Sequence, residues 1–335
     1  MSEPTTEFVV GKREGGKRLD HFLHERIPGL SRTRIQQVIR ERVTLSWGVA
    51  PRCATRVRPG GEVSIGYTPL AETLLDIRLP ILMRGSGWLA VDKPPGIVVH
   101  PVNRIRENSL IRILRRQEGR EPLRLVHRLD RETSGVLLVA ESSSAASVLS
   151  RAFMNREVDK EYLALVDGVL REDAGRIDLP IGDAVGSRVH VRREAGRGQP
   201  AQTAWTVERR FADRTLLRVV PETGRRHQIR VHLAHIGHPI LGDILYGRSD
   251  DDYLTLVRDG RDVRQEQDGP LRQLLHCSRL VFRDPAGERV EVAAPLPADF
   301  GAQSLAQTAR DCHHERKEAG ECPTTNCDPV PSSTS

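Results

Sequence analysis

Apolar residues run without a break from Val136 to Ala140, the pattern of a strand buried on both faces. Ser134-Gly135 just before it predicts the turn that starts the strand. Further β-like runs fall at 163–166 (Leu-Ala-Leu-Val), 204–207 (Ala-Trp-Thr-Val), 216–220 (Leu-Leu-Arg-Val-Val) and 280–282 (Leu-Val-Phe), while 144–153 and 228–236 carry helical spacing. Between Trp88 and about Pro297 strands dominate and do not alternate strictly with helices, which predicts an α+β fold rather than a doubly wound sheet. The N-terminal end reads differently. Leu19, Phe22 and Leu23 share one helical face, and Pro28-Gly29 ends that helix. Ser31 is placed to cap a second helix whose apolar positions are Ile35, Val38 and Ile39. A short β-rich piece follows over 43–46 and 57–65. Residues 69–84 read as a linker, and 182–199 and 248–269 as loops, the first rich in arginine. Residues 301–335 turn polar and lose periodicity, as in a disordered tail. No internal repeat is found.

Composition narrows this picture. The 335 residues allow two domains, and 38% hydrophobic content fits a soluble globular chain. A net charge of +6 permits a polyanionic partner. The charge is uneven: residues 11–68 hold twelve Lys/Arg against five Asp/Glu, a local excess above that of the whole chain. Affinity for phosphates is therefore expected at the N-terminal end. With 4% aromatic residues, stacking on bases cannot rest on many rings. The five cysteines (Cys53, Cys277, Cys312, Cys322, Cys327) are sparse and odd in number, and no stretch of 18 apolar residues occurs. A reducing cytoplasm and no membrane span are the expectation.

The chemistry concentrates in His127-Arg128-Leu129-Asp130-Arg131-Glu132-Thr133-Ser134-Gly135. One acid, Asp130, stands between two arginines at the edge of the predicted buried strand. A carboxylate so placed is expected to be held and kept ionised, which suits a nucleophile. An isolated Arg-x-Asp would be read as a surface ion pair; the whole string is more specific than that. It resembles the motif of the RluA-type pseudouridine synthases, His-Arg-Leu-Asp-x-x-Thr-Ser-Gly. Ala90-Val91-Asp92-Lys93-Pro94-Pro95-Gly96-Ile97-Val98-Val99-His100-Pro101 resembles the first catalytic motif of that family, Lys160-Glu161-Tyr162-Leu163-Ala164 its tyrosine motif, and Thr223-Gly224-Arg225-Arg226-His227-Gln228-Ile229-Arg230-Val231-His232 its basic motif. Gly237-His238-Pro239-Ile240-Leu241-Gly242-Asp243 and Leu275-His276-Cys277 follow in the family's order.

The resemblance implies a mixed, largely antiparallel sheet with the active cleft across its middle, over residues 85–300. It implies Asp130 as nucleophile, Arg230 as the basic residue that pairs with it, and Tyr162 as the active-site aromatic. Arg128, two residues before Asp130, reaches the same cleft if both share a strand face, and there fills the gap left by a flipped nucleotide or grips a phosphate. Arg225 is a weaker candidate for phosphate contact, and His127 is included among the substrate-side residues. Residues 15–68, with Ser31-Arg32-Thr33-Arg34-Ile35 and Pro59-Gly60-Gly61-Glu62, resemble a small α/β S4 RNA-binding domain, preceded by an N-terminal extension over 1–14. Arg42 and Trp47-Gly48 stand where that pattern has glycine and Asn-Gly. Arg18, Arg32 and Arg34 are its candidate RNA contacts.

The function implied is conversion of uridine to pseudouridine in structured RNA, with large-subunit ribosomal RNA ahead of transfer RNA. A non-catalytic RNA-binding or ribosome-assembly protein on the same fold is the alternative, and a glycosidase-like hydrolase a weaker one, since only one acid sits in the central motif. The reaction needs no cofactor. RNA is the expected partner, and no obligatory protein partner is evident. His227, His232, His235 and His238 are close enough in sequence to suggest a metal, but the His-Glu-x-x-His arrangement is absent, and the family motif gives His227 and His232 framework hydrogen bonds instead. The spacing of Cys312, His313, His314, Cys322 and Cys327 fits no common zinc pattern. No metal is expected.

Overall fold

The computed structural model describes residues 6–27, 32–66, 72–102, 105–119, 122–258 and 272–300. Pro28-Gly29, the Ser31 cap, the end of the second predicted loop and the 301–335 tail lie outside them.

Residues 6–66 pack around a core of their own. Strands β1 (Thr6–Val9), β2 (Val43–Leu45) and β3 (Glu62–Ile65) form an antiparallel sheet in the order β1-β3-β2. Helices α1 (Leu19–Arg26) and α2 (Arg32–Arg42) cover it. Leu19, Phe22 and Leu23 meet Ile35, Val38 and Ile39 in this core, as their spacing predicts, and Val43, Leu45, Val57, Val63 and Ile65 complete it. Two differences from expectation stand out. Thr6–Val9, expected to lie in an extension, supplies an outer strand of the sheet. The predicted strand over 57–65 is regular only from Glu62, because Pro59-Gly60-Gly61 turns the chain first.

The chain clusters into two compact units, the first comprising residues 1–132, 136–155 and 283–288, the second 133–135, 156–282 and 289–335. In the first, beyond the N-terminal core, come β4 (Ile81–Gly85), β5 (Trp88–Lys93), α3 (Leu110–Glu118), β6 (Arg124–Leu125), β7 (Ser134–Ala140) and α4 (Ser143–Met154). The expected linker is not a free one. The Glu72 carboxylate accepts from the backbone N–H groups of Arg106, Glu107 and Asn108, and Leu79 N–H donates to Gln117, so this stretch is strapped along α3 before β4 begins. Helix α3 buries Leu110, Ile111, Ile113 and Leu114 and stops at Gly119 in the left-handed region (φ 63°). Helix α4 starts where Ser142 Oγ accepts from Ala145 N–H.

The second unit holds β8 (Asp159–Asp167), β9 (Ala174–Asp178), β10 (Ile181–Asp183), β11 (Arg193–Ala195), β12 (Gln202–Arg210), β13 (Arg214–Pro221), α5 (Gln228–His235), α6 (Asp250–Arg258), β14 (Leu275–Arg283) and β15 (Arg289–Ala293). Its sheet runs β14-β8-β13-β12-β9, each neighbour antiparallel to the next. Ala164, Val166, Trp205, Leu217 and Val219 from the strands bury Ile229 and Leu233 of α5. Both predicted loops carry regular structure: β10 and β11 pair as a hairpin, and α6 begins with three aspartates that complement the positive end of its dipole. The two segments hold each other. Ser187 Oγ donates to Asp250, Arg192 pairs with Asp250 at 2.9 Å, and Arg188 pairs with Asp251. Arg193 pairs with Asp183 and Arg197 with Glu194.

Strand β7 is buried at every position, as predicted, and Ser134-Gly135 already belong to it. These two residues register in parallel with His276 and Cys277 of β14. Gly135 has φ +107°, and a Cβ there would lie 2.1 Å from the Cys277 carbonyl oxygen. Only glycine fits, for reasons of both conformation and space. Gly135→Ala is expected to cost at least about 2 kcal/mol of stability, read as a lower midpoint in urea unfolding.

Candidate active site

The loop that carries Asp130 runs from the end of β6 to the start of β7 and has no regular hydrogen-bonding pattern of its own. It is fixed from outside. Leu129 is buried. His127 Nε2 accepts from Leu138 N–H at 2.9 Å, and its ring stacks on Phe153 with centroids 4.3 Å apart. His127 is thus committed to the framework at one ring nitrogen and one face. The Arg131 carbonyl accepts from Lys93 Nζ at 2.8 Å and from Gly96 N–H at 2.9 Å. Lys93 is wholly buried and also donates to the Pro94 carbonyl at 2.9 Å. A buried ammonium is tolerated where carbonyl oxygens replace its water. Asp130 itself is half-buried, and Arg128 is exposed. The two lie on a loop, so the shared strand face expected from their spacing does not apply.

Just past this loop, two buried side-chain pairs act within the second unit. Gln273 Nε2 donates to Thr133 Oγ1 at 2.8 Å, and Ser134 Oγ bonds His276 Nδ1 at 2.9 Å. Burial pulls the His276 pKa down from 6.5 to about 4, with Arg272 adding to the effect and the Ala294 backbone and Asp299 opposing it; its Nε2 has no partner with good hydrogen-bond geometry.

Tyr162 lies in β8, half-buried, opposite Cys277 of β14 and Val219 of β13. Burial pushes the Cys277 thiol up to about 12, an effect that the Tyr162 hydroxyl partly opposes. Burial also lowers the pKa of the neighbouring Lys160 amine. Arg230, on α5, forms a bidentate ion pair with Asp243 (2.6 and 2.9 Å) and lies 5.0 Å from the Tyr246 ring centroid. Asp243 is fully buried and also accepts from Leu245 and Tyr246 N–H. The sequence shows Asp243 within a motif without indicating a role for it. Its partner can be recognised only once the turn after Gly242 is folded against α5.

The basic motif is a hydrogen-bonded knot. Gln228 Oε1 accepts from Thr223 Oγ1 and Arg225 N–H, while its amide donates to Gln202 and Thr203. His227, in the left-handed region at φ 58°, bonds the Tyr246 hydroxyl at 2.8 Å. His232 uses both ring nitrogens, on Thr203 Oγ1 and the Leu179 carbonyl. Arg225 Nε donates to the Pro200 carbonyl. Among the described residues no cluster of His, Cys, Asp or Glu has metal-binding geometry.

In the N-terminal core Arg18 clamps Asp20 with two hydrogen bonds (3.0 and 2.8 Å), which holds the Asp20 carboxyl below its ordinary range. Arg32 and Arg34 lie at the start of α2, with side chains outside the described residues. Lys17 pairs with Glu25 and Arg26 with Glu14, so part of the local positive excess is already matched. No helix among the described residues is long and apolar enough to cross a membrane.

The relatives of this chain make it an RNA-modifying isomerase. Residues 87–235 match the family model described as RNA pseudouridylate synthase. Ribosomal large subunit pseudouridine synthase D of Nitrosomonas europaea is 36% identical over 324 residues, covering 93% of this chain and 90% of that protein. The protein of the same name from Xanthomonas campestris pv. campestris is 35% identical over 88% of this chain and 90% of its own length. Human RNA Pseudouridylate Synthase Domain Containing 1 superposes with a TM-score of 0.55 at 29% identity, covering 68% of this chain and 90% of that structure. The chain belongs to the RluA-type family of RNA pseudouridine synthases.

Two stability measurements test the framework. Asp243→Ala leaves the Arg230 guanidinium buried without its carboxylate and is expected to cost about 3–5 kcal/mol in denaturant unfolding. His276, neutral in the fold, takes up a proton on unfolding at pH values between about 4 and 6.5. Stability is therefore expected to be full above pH 6.5 and to fall by up to roughly 3 kcal/mol as the pH drops toward 4, and His276→Gln should flatten that slope.

Proposed function

We propose that this pseudouridine synthase acts on uridines of large-subunit ribosomal RNA, with the carboxylate of Asp130 as the acting group. The observation that carries the reading is the anchoring of the Asp130 loop: Lys93 and Gly96 fix its backbone at Arg131, and Gln273 and His276 fix the residues that follow. A group that must meet one carbon of a flipped nucleotide needs a backbone that does not wander. The ribosomal target is supported by the relatives named above, whose own lengths the match nearly spans.

The reaction is an isomerisation. The bond between N1 of uracil and C1′ of the ribose breaks, the detached base turns, and a bond forms between C5 and C1′. The hydrogen on C5 leaves as a proton and N1 gains one, so atoms and electrons balance without a redox partner. The uridine must leave its stack to be reached. Asp130 serves as nucleophile or as base at the sugar or the uracil. Tyr162 supplies a ring for the base and a hydroxyl for the proton. Arg230, oriented by Asp243, supplies positive charge for the carboxylate, and Arg128 and Arg225 contact RNA phosphates. These roles rest on the match of each residue to its motif. Residues 6–66 act as an S4-type RNA anchor, a reading supported by two helices on a three-stranded sheet and by the local charge, and Arg18, Arg32 and Arg34 are its contacts. The protein works in the cytoplasm, where ribosomal RNA is made and matured in bacteria.

The test uses large-subunit ribosomal RNA transcribed with uridine tritiated at C5, so that each conversion releases tritium. Asp130→Asn is expected to abolish release while leaving RNA retention on filters nearly unchanged. Release that persists in this variant refutes the assignment of the acid, and wild-type release from transfer RNA but not from ribosomal RNA refutes the target.

A further inference from the structure

We propose that His100 is a substrate-contacting residue of the pseudouridylation site, sharing with Arg128 a backbone phosphate of the uridine presented to Asp130. The inference rests on the reading of the Asp130 loop as catalytic.

His100 ends the segment that begins at Lys93, and this segment is docked on the Asp130 loop. Lys93 Nζ and Gly96 N–H both end on the Arg131 carbonyl, at 2.8 and 2.9 Å. Closer to His100, the Val98 and Val99 carbonyls accept from Leu110 and Ile111 N–H at the start of α3. The backbone on the N-terminal side of His100 is therefore fixed relative to both α3 and the loop. Arg128 is near enough to add to the effect of burial in lowering the imidazole pKa. The docking of the segment on the loop and the electrostatic effect of Arg128 on the imidazole thus put the two side chains in one neighbourhood.

The other members of this neighbourhood are engaged within the protein. His127 receives Leu138 N–H, Lys93 is spent on two carbonyls, and Arg131 pairs with Glu132 at 2.7 Å. Among the described residues, no hydrogen bond or ion pair uses the His100 imidazole or the Arg128 guanidinium. His100 is partly buried, so it has given up some water without gaining a protein partner. Such a group is open to a ligand. A phosphate oxygen only accepts, and it can take one N–H from the imidazole and another from the guanidinium. An imidazole held neutral donates this bond without repelling Arg128. Phosphate contacts of this kind set position rather than sequence choice, so the contribution falls on binding and not on the chemical step.

Four variants test this on the C5-tritiated ribosomal transcript: His100→Ala, His100→Gln, Arg128→Ala and the His100→Ala/Arg128→Ala double variant, with Asp130→Asn as reference. His100→Ala is expected to raise KM roughly tenfold with kcat within about twofold and an unchanged melting temperature. His100→Gln, which keeps an N–H donor, recovers most of the loss. The double variant is less impaired than the product of the single effects, because both contacts serve one phosphate. An unchanged KM in His100→Ala, failure of His100→Gln to restore it, or fully multiplicative effects would each overturn the proposal. If Asp130→Asn stays active, the catalytic reading of the loop is wrong and the role of His100 goes with it. If that variant is inactive while His100→Ala binds normally, the role of His100 alone is wrong.

Discussion

One carbonyl oxygen organises the Asp130 loop. The Arg131 C=O lies one residue past the acid and receives both a buried ammonium and a backbone N–H. A lysine taken wholly out of water is unfavourable unless oxygen atoms replace the lost hydration, and those atoms must stand in a fixed arrangement. The requirement works in both directions: the loop satisfies Lys93, and Lys93 dictates the path of the loop. An apolar residue at this position would pack in the same volume and impose no such path.

The residues after the acid are under a second constraint, steric rather than electrostatic. Gly135 brings backbone against backbone at Cys277, and the Ser134–His276 and Thr133–Gln273 pairs flank that contact. Within six residues the chain passes from an ammonium-bound turn to a strand with no room for a side chain. The nine-residue motif therefore encodes two kinds of anchoring around one acid. This accounts physically for why Thr133, Ser134 and Gly135 accompany the acid in the motif.

Much of this was legible in the sequence, for identifiable reasons. Apolar continuity located β7, and helical spacing located α1, α4 and α5 within a residue or so, because each has one well-defined buried face. Helix α3 escaped notice: its buried Leu110, Ile111, Ile113 and Leu114 are interleaved with arginines, and no strong start signal precedes Ser109 apart from the serine itself. Helix α6 hid behind Asp250-Asp251-Asp252, which reads as loop until the dipole and the facing arginines are counted. The linker expected over 69–84 ends early, since Ile81–Gly85 is a strand with only intermediate or exposed side chains. In the candidate site, the motif residues stand in the sequence but their partnerships do not. That Arg230 meets Asp243, or that Lys93 reaches Arg131, depends on contacts 13 and 38 positions apart in the chain.

The arginine-rich hairpin after β10 illustrates how far charge in a sequence differs from charge in a fold. Arg188, Arg192, Arg193 and Arg197 look like a handle for nucleic acid, yet each already faces an aspartate or glutamate of the protein. A phosphate arriving here must displace a carboxylate, so the encounter is an exchange of anions with a small net gain rather than the capture of an anion by open cations. The hairpin acts as an electrically quiet wall, and the long-range pull on a polyanion comes from wherever cations outnumber their acids.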